Sequence, residues 1–251
     1  MNSNDMSYHE ALIALHAETE RQGPGDDRFS LNLLEKLPPL PPNCMIADLG
    51  CGTGIASVLL AQHFKRPILC VDTSEAFLKV LSQKAESLGI GTFINALCAD
   101  MGALDPKHHQ FDLLWSEGAA YTLTFEGALR SWRPLVAGDG IAVISELSWF
   151  TSERPKEVSD YWHTAYPDIA DEQTNSARAE ANGFRLLFTQ RLPESAWWEN
   201  YYTPLLDRID ANAQSPSEMM QAVIQETRQE IEHFRHYSAY FGYTFYVLQA
   251  V

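Results

Sequence analysis

Apolar residues occur along this chain in two patterns, short continuous runs that predict strands and a helical spacing that predicts helices. Short apolar runs at residues 45–49, 67–71, 92–98, 111–115 and 141–146 predict five buried strands. Helical patterns at residues 55–62, 75–87 and 124–132 alternate with them, and Ser74 is suited to cap the second of these helices. Strands that alternate with helices predict an α/β fold with a parallel sheet.

Further elements flank this core. Two helices, at residues 7–20 and 27–37, precede it, and a proline-rich connector follows them at residues 38–42. A turn is predicted at Gly138-Asp139-Gly140, before the fifth strand. Beyond that strand we expect short helices at 156–165 and 175–181, a sixth strand at 184–192, a long helix at 216–236 and a last strand at 243–248.

The order of these elements predicts one domain over residues 1–251. Residues 43–150 form its nucleotide-binding core in this interpretation. Residues 1–37 and 193–238 interrupt the regular order of strand and helix. They are therefore expected to form a helical cap on the substrate side.

The charge of the chain disfavours some classes of binding partner. Its formal net charge is −15, and such a field repels nucleic-acid phosphates and anionic lipids. The first ten residues lack the apolar stretch of a signal peptide, and no apolar run approaches the ~20 residues that a spanning helix needs. We therefore expect a cytoplasmic protein with no nucleic-acid or membrane partner.

The cysteines give no sign of a metal site. Cys44, Cys51, Cys70 and Cys98 lie on or beside predicted strands, and their spacings match no zinc or iron–sulfur ligand set. We predict reduced and buried thiols.

The segment that carries the most functional information follows the first strand. The strand ends in Asp48, and glycines then occupy every second position, at Gly50, Gly52 and Gly54, before a helix begins. Glycine is needed where a turn demands a positive φ or where a ligand must touch the backbone. The N-terminus of the helix adds free N–H groups and partial positive charge. This arrangement predicts a nucleotide-binding loop.

The glycine spacing separates two classes of cofactor. A dinucleotide site has the pattern G-x-G-x-x-G, but Ile55 stands where its third glycine would be. The pattern Asp-x-Gly-x-Gly-x-Gly resembles motif I of the class I methyltransferases, which use S-adenosylmethionine (SAM) and release S-adenosylhomocysteine. The resemblance implies a Rossmann-like, mostly parallel sheet of seven strands, with the last strand antiparallel beside the fifth. It also implies that Asp48 faces the methionine amino group and that Cys51 and Thr53 line the loop.

Two further strand ends carry acids that fit the same cofactor. Asp72 ends the second strand, where a carboxylate can accept hydrogen bonds from both ribose hydroxyls. Thr73 and Phe77 follow it, and we expect Phe77 near the adenine. The pair Asp100 and Met101 follows the third strand. In the family that it resembles, such an acid accepts a bond from the adenine amino group and the next residue packs on the ring.

The fourth strand ends in Ser116, Glu117 and Gly118, followed by Tyr121. In class I methyltransferases this position faces the transferred methyl group, so Ser116 is a candidate cofactor contact. The Asn/Asp-Pro-Pro-Tyr/Phe motif of adenine and glutamine methylases is missing. The segment is similar instead to small-molecule enzymes such as the ubiquinone and menaquinone biosynthesis methyltransferases. Glu117 and Tyr121 are the candidate catalytic groups, because a base helps when the nucleophile carries a proton.

Other residues are weaker candidates. Glu146 and His163 are alternative bases, although His163 is expected to be a packing residue. Arg21 and Gly23 lie in the segment that closes over the methionine end of SAM in related folds, and Arg21 is suited to pair with a carboxylate. Aromatic residues in the cap either pack it onto the core or enclose an apolar or cationic substrate through their ring faces: Trp197, Trp198, Tyr201 and Tyr202.

The leading hypothesis is a SAM-dependent methyltransferase that acts on a small molecule at O, N or C, with a homodimer as one possible assembly. One alternative keeps the fold and the cofactor but assigns non-methylating chemistry or a sensing role. Another is a nicotinamide-dependent oxidoreductase, which Ile55 disfavours. A nucleic-acid methyltransferase is disfavoured by the charge.

Overall fold

The structure is a computed structural model that describes residues 6–17 and 19–251. Its strands are β1 (Ile46–Leu49), β2 (Ile68–Asp72), β3 (Ile94–Cys98), β4 (Phe111–Ser116), β5 (Val136–Trp149), β6 (Ala170–Asp171), β7 (Phe184–Arg191) and β8 (Phe241–Ala250). Its α-helices are α1 (Tyr8–His16), α2 (Asp27–Leu34), α3 (Ile55–Phe64), α4 (Glu75–Ser87), α5 (Phe125–Trp132), α6 (Lys156–Ala165), α7 (Glu172–Ala181), α8 (Glu194–Trp197), α9 (Thr203–Ala211) and α10 (Glu218–Tyr237). A π-helical turn, Trp198–Tyr202, joins α8 to α9.

The strands form one sheet in the order β3-β2-β1-β4-β5-β8-β7. Strands β1 to β5 pair in parallel, whereas β8 runs antiparallel between β5 and β7. The predicted position of the last strand beside the fifth is therefore confirmed. The two-residue β6, which pairs with β5, is an additional strand that the apolar pattern missed because it is too short to show one.

Two apolar layers cover the sheet. Helices α5 and α7 pack on one face through buried residues such as Phe125 and Ala179. The other face is covered by α2, α3 and α4, and by α8 to α10, which are the helices of the inserted segment (residues 193–238). Helix α1 packs against α9 and α10 through Ala11 and Leu15. The N-terminal helices and the inserted segment therefore lie on the same face of the sheet.

Local sequence explains where several helices begin. The Ser74 hydroxyl accepts the Phe77 amide N–H (3.3 Å), which confirms the predicted cap of α4. Thr124 caps α5 in the same way, and Asp26 caps α2. The first predicted helix is shorter than expected, since α1 ends at His16, and residue 18 of the predicted range lies outside the described residues.

The predicted turn at residues 138–140 is wrong. Val136 pairs with Phe111 before these residues, and Ile141 pairs with Leu113 after them. The glycines therefore form a bulge within β5 rather than the end of a strand, because pairing with β4 continues on both sides.

The expectation of four buried thiols is wrong for one of them. Cys44, Cys51 and Cys70 are buried, whereas Cys98 is exposed. Cys98 lies on β3, the edge strand of the sheet, whose residues are exposed or half-buried. In the part of the chain that the structure describes, no helix is both long and apolar enough to cross a membrane.

Candidate active site

The glycine loop has the backbone that its sequence predicts. Gly50, Gly52 and Gly54 have φ values of +73°, +54° and +83°, which side chains rarely allow. Space is a second reason at two of them. A Cβ on Gly54 would overlap Leu81 of α4, and a Cβ on Gly50 would overlap Ala119, which follows β4. The loop therefore lies in close contact with α4 and with the segment after β4.

Asp72 fixes the open side of this loop. One oxygen of its carboxylate accepts the Gly52 amide N–H (2.9 Å), and the other accepts the Ser74 amide N–H (2.8 Å). Each carboxylate oxygen has a further lone pair. The carboxylate therefore remains able to accept hydrogen bonds from a ligand beside the loop.

Asp48 is the buried acid at the end of β1. Its side chain is buried, and Oδ2 accepts a hydrogen bond from Ser57 Oγ of α3 (2.5 Å). Burial raises its pKa to about 7 against the opposing Ser57 bond, with help from the charges of Glu117 and Asp72. The carboxyl thus bonds to α3, and its predicted contact with the methionine amino group stays a prediction.

The N-terminal segment contacts the same loop through a residue that the sequence interpretation missed. Gln22 Oε1 accepts hydrogen bonds from the Thr53 amide N–H (3.2 Å) and the Thr53 hydroxyl (2.8 Å). Its Nε2 donates to the carbonyl of Thr19 (3.1 Å). Gln22 lies between Arg21 and Gly23, both of which were predicted to be near the cofactor. It was not predicted itself, because it belongs to no sequence motif.

Glu117 is held by two hydrogen-bond donors and one ion pair. Its Oε1 accepts the Ser30 hydroxyl (2.8 Å) and the Trp115 indole N–H (2.9 Å), and its Oε2 lies 3.6 Å from Arg21 Nη1. Arg21 also pairs with Asp27. The predicted base and the predicted carboxylate-binding arginine are therefore bound to each other, and both roles stay predictions.

The remaining predicted cofactor residues lie around the loop. Asp100 is exposed, and its carboxylate accepts the Gly102 amide N–H (2.8 Å). The Met101 sulfur lies 3.3 Å from where a Cβ of Gly50 would stand, and Trp132 fixes the Met101 carbonyl (3.0 Å). The exposed edge of β3 therefore ends beside the glycine loop.

The other residues predicted to contact the cofactor are either buried or at least partly exposed to solvent. The Ser116 hydroxyl donates to the Leu49 carbonyl (2.8 Å) and is fully buried, so it joins the ends of β4 and β1. Cys51 is buried, and burial raises the pKa of its thiol. Three others are exposed or half-buried and stay predictions: Gly23, Thr73 and Phe77.

A second group of side chains, here called the tyrosine cluster, surrounds the segment after β4. It consists of Tyr121, Tyr166, Tyr201 and Tyr243 with the carboxyls of Glu146 and Glu230. The Tyr243 hydroxyl lies 3.6 Å from where a Cβ on Gly118 would stand. The Gly118 amide N–H in turn donates to Ser145 Oγ of β5 (2.7 Å).

Tyr201 is fixed in this cluster by His16. The His16 Nδ1 lies 2.9 Å from the Leu12 carbonyl, which can only accept, so Nδ1 carries the proton. The other ring nitrogen, Nε2, therefore accepts the Tyr201 hydroxyl (3.2 Å). Burial lowers the pKa of His16, which keeps the ring neutral and preserves this arrangement.

Of the two further candidate bases, the structure places one in the cluster and one outside it. Glu146 is 2% exposed at the carboxyl end of β5. His163 is exposed on α6 and does not pack as expected. Tyr121, half exposed, lies edge to face with Tyr166 at 6.3 Å between ring centroids. Tyr243 and Glu230 were missed, because which residues of β8 and α10 face the site depends on their register and rotation.

The glycine loop, the three strand-end acids and the tyrosine cluster lie at the carboxyl ends of the parallel strands, where open α/β sheets bind ligands. A separate hollow of about 310 Å³ lies beside the proline-rich connector and Cys44, which precedes β1. It opens at the opposite, amino end of the strands and is not part of this site.

Comparison with known proteins agrees with the site. Residues 46–140 match a family model described as a methyltransferase domain. A trans-aconitate 2-methyltransferase of Deinococcus radiodurans is 31% identical over 147 residues, which cover 57% of this chain and 49% of that protein. The ribosomal protein arginine N-methyltransferase rmt3 of Schizosaccharomyces pombe is 29% identical over 132 residues, which cover 48% of this chain and 24% of that protein. The chain thus spans less than half the length of either relative.

A solved structure resembles nearly the whole chain. It is a SAM-dependent methyltransferase from Thiobacillus denitrificans in complex with S-adenosyl-L-homocysteine, with a TM-score of 0.78 and 18% identity. The superposition covers 95% of this chain and 97% of that one. The predictions of the family, its fold and SAM as its cofactor are confirmed. The chain therefore has the class I methyltransferase fold, and its residues 46–140 match the methyltransferase domain of that family model.

Proposed function

We propose that the protein transfers a methyl group from SAM to a small-molecule acceptor at O, N or C. The observation that carries this proposal is the arrangement of two adjoining groups at one edge of the sheet. The glycine loop and its acids form a nucleotide cradle, and the tyrosine cluster begins at Gly118, directly after β4. A donor and an acceptor can therefore be held side by side, which supplies much of the rate of a displacement reaction.

The residues present fit SAM. A Cβ on Gly52 would stand 3.1 Å from Gln22 Oε1, which is a tight contact. The lack of a side chain at Gly52 therefore keeps space free between the loop backbone and Gln22. We assign the ribose hydroxyls to the free lone pairs of Asp72, the adenine amino group to Asp100, and the ring face to Met101. The methionine end is assigned to the backbone carbonyls of Gly52 and Thr53, beside Gln22, because the N–H groups of these residues already donate to Asp72 and Gln22. When bound, SAM supplies an electrophilic methyl group on a sulfonium.

Glu117 acts in this proposal as an anchor and not as a base. Two hydrogen-bond donors and an ion pair with Arg21 already occupy its carboxylate, which joins α2, β4 and the N-terminal segment. Tyr121 keeps its assignment to the acceptor. Its pKa is raised by burial and then by the carboxyls of Glu230 and Glu146, so its hydroxyl stays protonated and can orient an acceptor by hydrogen bonding.

Calorimetric titration with S-adenosylhomocysteine tests the cofactor assignment. We expect one-site binding to the wild type at micromolar affinity or tighter, and no saturable binding of NADH. Asp72→Ala should weaken binding by roughly 10- to 100-fold, since each hydrogen bond to a charged group contributes about 1.5–3 kcal/mol.

Asp112→Ala is the matched control. Asp112 also accepts a backbone N–H, that of Met45 (2.8 Å), but at the opposite end of the sheet. Its affinity for S-adenosylhomocysteine should stay near that of the wild type. Equal losses in both variants, or binding of NADH in place of S-adenosylhomocysteine, would contradict the proposal.

The acceptor class is tested with SAM that carries a labelled methyl group. The protein is incubated separately with a small-molecule extract and with a protein extract, and products are identified by mass spectrometry. We expect label in a small molecule. Label found only in proteins would contradict this part of the proposal.

A further inference from the structure

The tyrosine cluster contains a buried carboxyl without a partner. Both oxygens of Glu146 are inaccessible to solvent and make no hydrogen bond with any residue in the ranges 6–17 and 19–251. The buried Tyr166 hydroxyl lies beside this carboxyl and interacts with it, which lowers the carboxyl's pKa against the larger effect of burial, but the contact lacks the geometry of a hydrogen bond, so both groups keep hydrogen-bonding capacity. Buried polar groups without partners are costly, and native structures normally pair them. These atoms are therefore suited to a polar ligand that donates hydrogen bonds.

The two carboxyls of the tyrosine cluster, Glu146 and Glu230, carry negative charge, and Arg178, a cation that acts on Glu146, lies outside the cluster and donates to the Asp168 carbonyl and to Asn175 Oδ1. Burial, followed by the carboxyls of Glu230 and Glu146, raises the pKa of Tyr121, and the same two carboxyls contribute to the raised pKa of Tyr243. Glu230 is half-buried on α10, where its Oε1 accepts the Tyr202 hydroxyl (2.8 Å). Two carboxyls among phenol rings favour a cationic ligand and repel an anionic one.

The covering of this carboxyl is thin. Tyr121 is 49% exposed and lies edge to face with Tyr166. Tyr166 follows α6 and lies outside helix and strand. A ligand that reaches Glu146 from this side would have to displace these two rings, neither of which belongs to the sheet.

We propose that the acceptor is an amine, which enters between Tyr121 and Tyr166 as an ammonium and donates its N–H groups to Glu146. This rests on the proposed function and specifies its acceptor as nitrogen. An ammonium has no lone pair with which to attack a methyl group. It must first give one proton to the Glu146 carboxylate, which leaves a neutral amine and a neutral carboxyl. Glu146 is thereby the group that both selects and deprotonates the acceptor.

Three ligands of similar shape test this specificity: 2-phenylethylamine, 2-phenylethanol and phenylacetate. Each is titrated into the protein at pH 8, with and without saturating S-adenosylhomocysteine. We expect the ammonium to bind at least about tenfold more tightly than the other two, as hydrogen bonds to a charged group imply. In Glu146→Gln this preference should disappear, while the affinity for S-adenosylhomocysteine remains within about twofold.

Glu172→Gln is the control, because its carboxyl pairs with Arg191 and the Thr244 hydroxyl outside the cluster. It should keep the preference for the ammonium. Equal binding of the three ligands, detectable binding of none, or a preference that survives in Glu146→Gln would overturn the proposal. Failure to bind S-adenosylhomocysteine would instead contradict the proposed function.

A pH titration of the wild type provides a second test if Glu146→Gln does not fold. Ammonium affinity should rise with pH up to about 8, because burial raises the pKa of Glu146 to about 8 and only the carboxylate form attracts the ligand. Affinity that is flat between pH 6 and pH 8 would contradict the proposal. The ionisable groups around Glu146 are Tyr121, Tyr166, Asp168, Arg178, Tyr243 and Tyr246.

Discussion

At the scale of single residues, the site depends on carboxyls whose surroundings differ sharply. Asp72 is half-buried and accepts two backbone N–H groups. Asp48 is buried with one hydroxyl donor, and Glu146 is buried with none among the described residues. In the sequence, Asp48, Asp72 and Glu146 each stand at the end of a predicted strand and look alike. In the structure, the free-energy cost of ionising each carboxyl is set by what surrounds it.

Asp48→Asn should change how stability depends on pH. The pKa of Asp48 is raised from 3.8 to about 7 in the folded state, so between these values the unfolded state binds fewer protons. Its contribution therefore lowers stability as pH rises through this window, by at most about 1.4 kcal/mol per pH unit. Chemical denaturation at pH 5 and pH 8 should show a smaller decrease in the variant. A larger decrease than in the wild type would contradict the assignment.

Comparing Gly54→Ala with Gly89→Ala separates the cost of backbone strain at positive φ from the cost of steric overlap with a neighbouring side chain. Both glycines have positive φ, +83° and +68°, but only a Cβ on Gly54 would overlap Leu81, whereas nothing lies within 4 Å of one on Gly89. Denaturant unfolding should show a loss of about 1 kcal/mol for Gly89→Ala and a further ~1–3 kcal/mol for Gly54→Ala. Equal losses would mean that contact with α4 does not require the glycine.

At the scale of elements, Glu117 joins parts that are distant in the chain. It binds Ser30 of α2, Trp115 of β4 and Arg21 of the N-terminal segment. Arg21 fits there because Gly25 has no side chain to occupy the same space. This explains why a strand-end acid that looks catalytic in the sequence is occupied in the fold.

Glu117→Gln should lower stability more than it changes catalysis. The side chains of Glu117 and Arg21 are each only 11% exposed, so loss of the charge should cost roughly 1–3 kcal/mol in denaturant unfolding. With the acceptor found by product analysis, the pH profile of turnover should keep its shape. A profile that loses its acidic limb, the rise of rate with pH as the base ionises, would restore Glu117 as the base. The control Glu126→Gln, on an exposed helix pair with Arg130, should cost about 0.5 kcal/mol or less.

At the scale of the whole molecule, segments from both ends of the chain meet over the sheet edge. Gln22 bonds to Thr53 of the glycine loop, and His16 bonds to Tyr201 of the inserted segment. Asn200 Nδ2 donates to the Gly25 carbonyl (2.8 Å). A cofactor bound at the loop is therefore expected to stabilise regions far from it in sequence.

Hydrogen exchange measured by mass spectrometry tests this expectation. Saturating S-adenosylhomocysteine should slow exchange together at residues 19–25, 50–54, 72–77, 100–102 and 116–121. Asp72→Ala at the same ligand concentration should show weaker protection in every one of these segments. Protection confined to other parts of the chain would contradict the assigned site.

Much of the fold could be predicted from the sequence. Helix α6 has the predicted bounds, and the strands β1 to β4 differ from prediction by one or two residues. Apolar periodicity decides such elements locally. The bulge in β5 could not be predicted, because glycines that break one strand and glycines that interrupt its pairing look alike without the partner strand.

The backbone of the glycine loop could be predicted from residues 48–54 alone, since the spacing of the glycines imposes positive φ values within a few residues. Only the tertiary structure decided which acids are free, which are paired and which are buried. Arg21 and Glu117 are 96 positions apart in the sequence, and Glu146 is joined to Tyr166 and Tyr243 by strand register and loop position. Burial and partners depend on contacts between distant residues, and those contacts set both the ionisation of the acids and the acceptor that we propose.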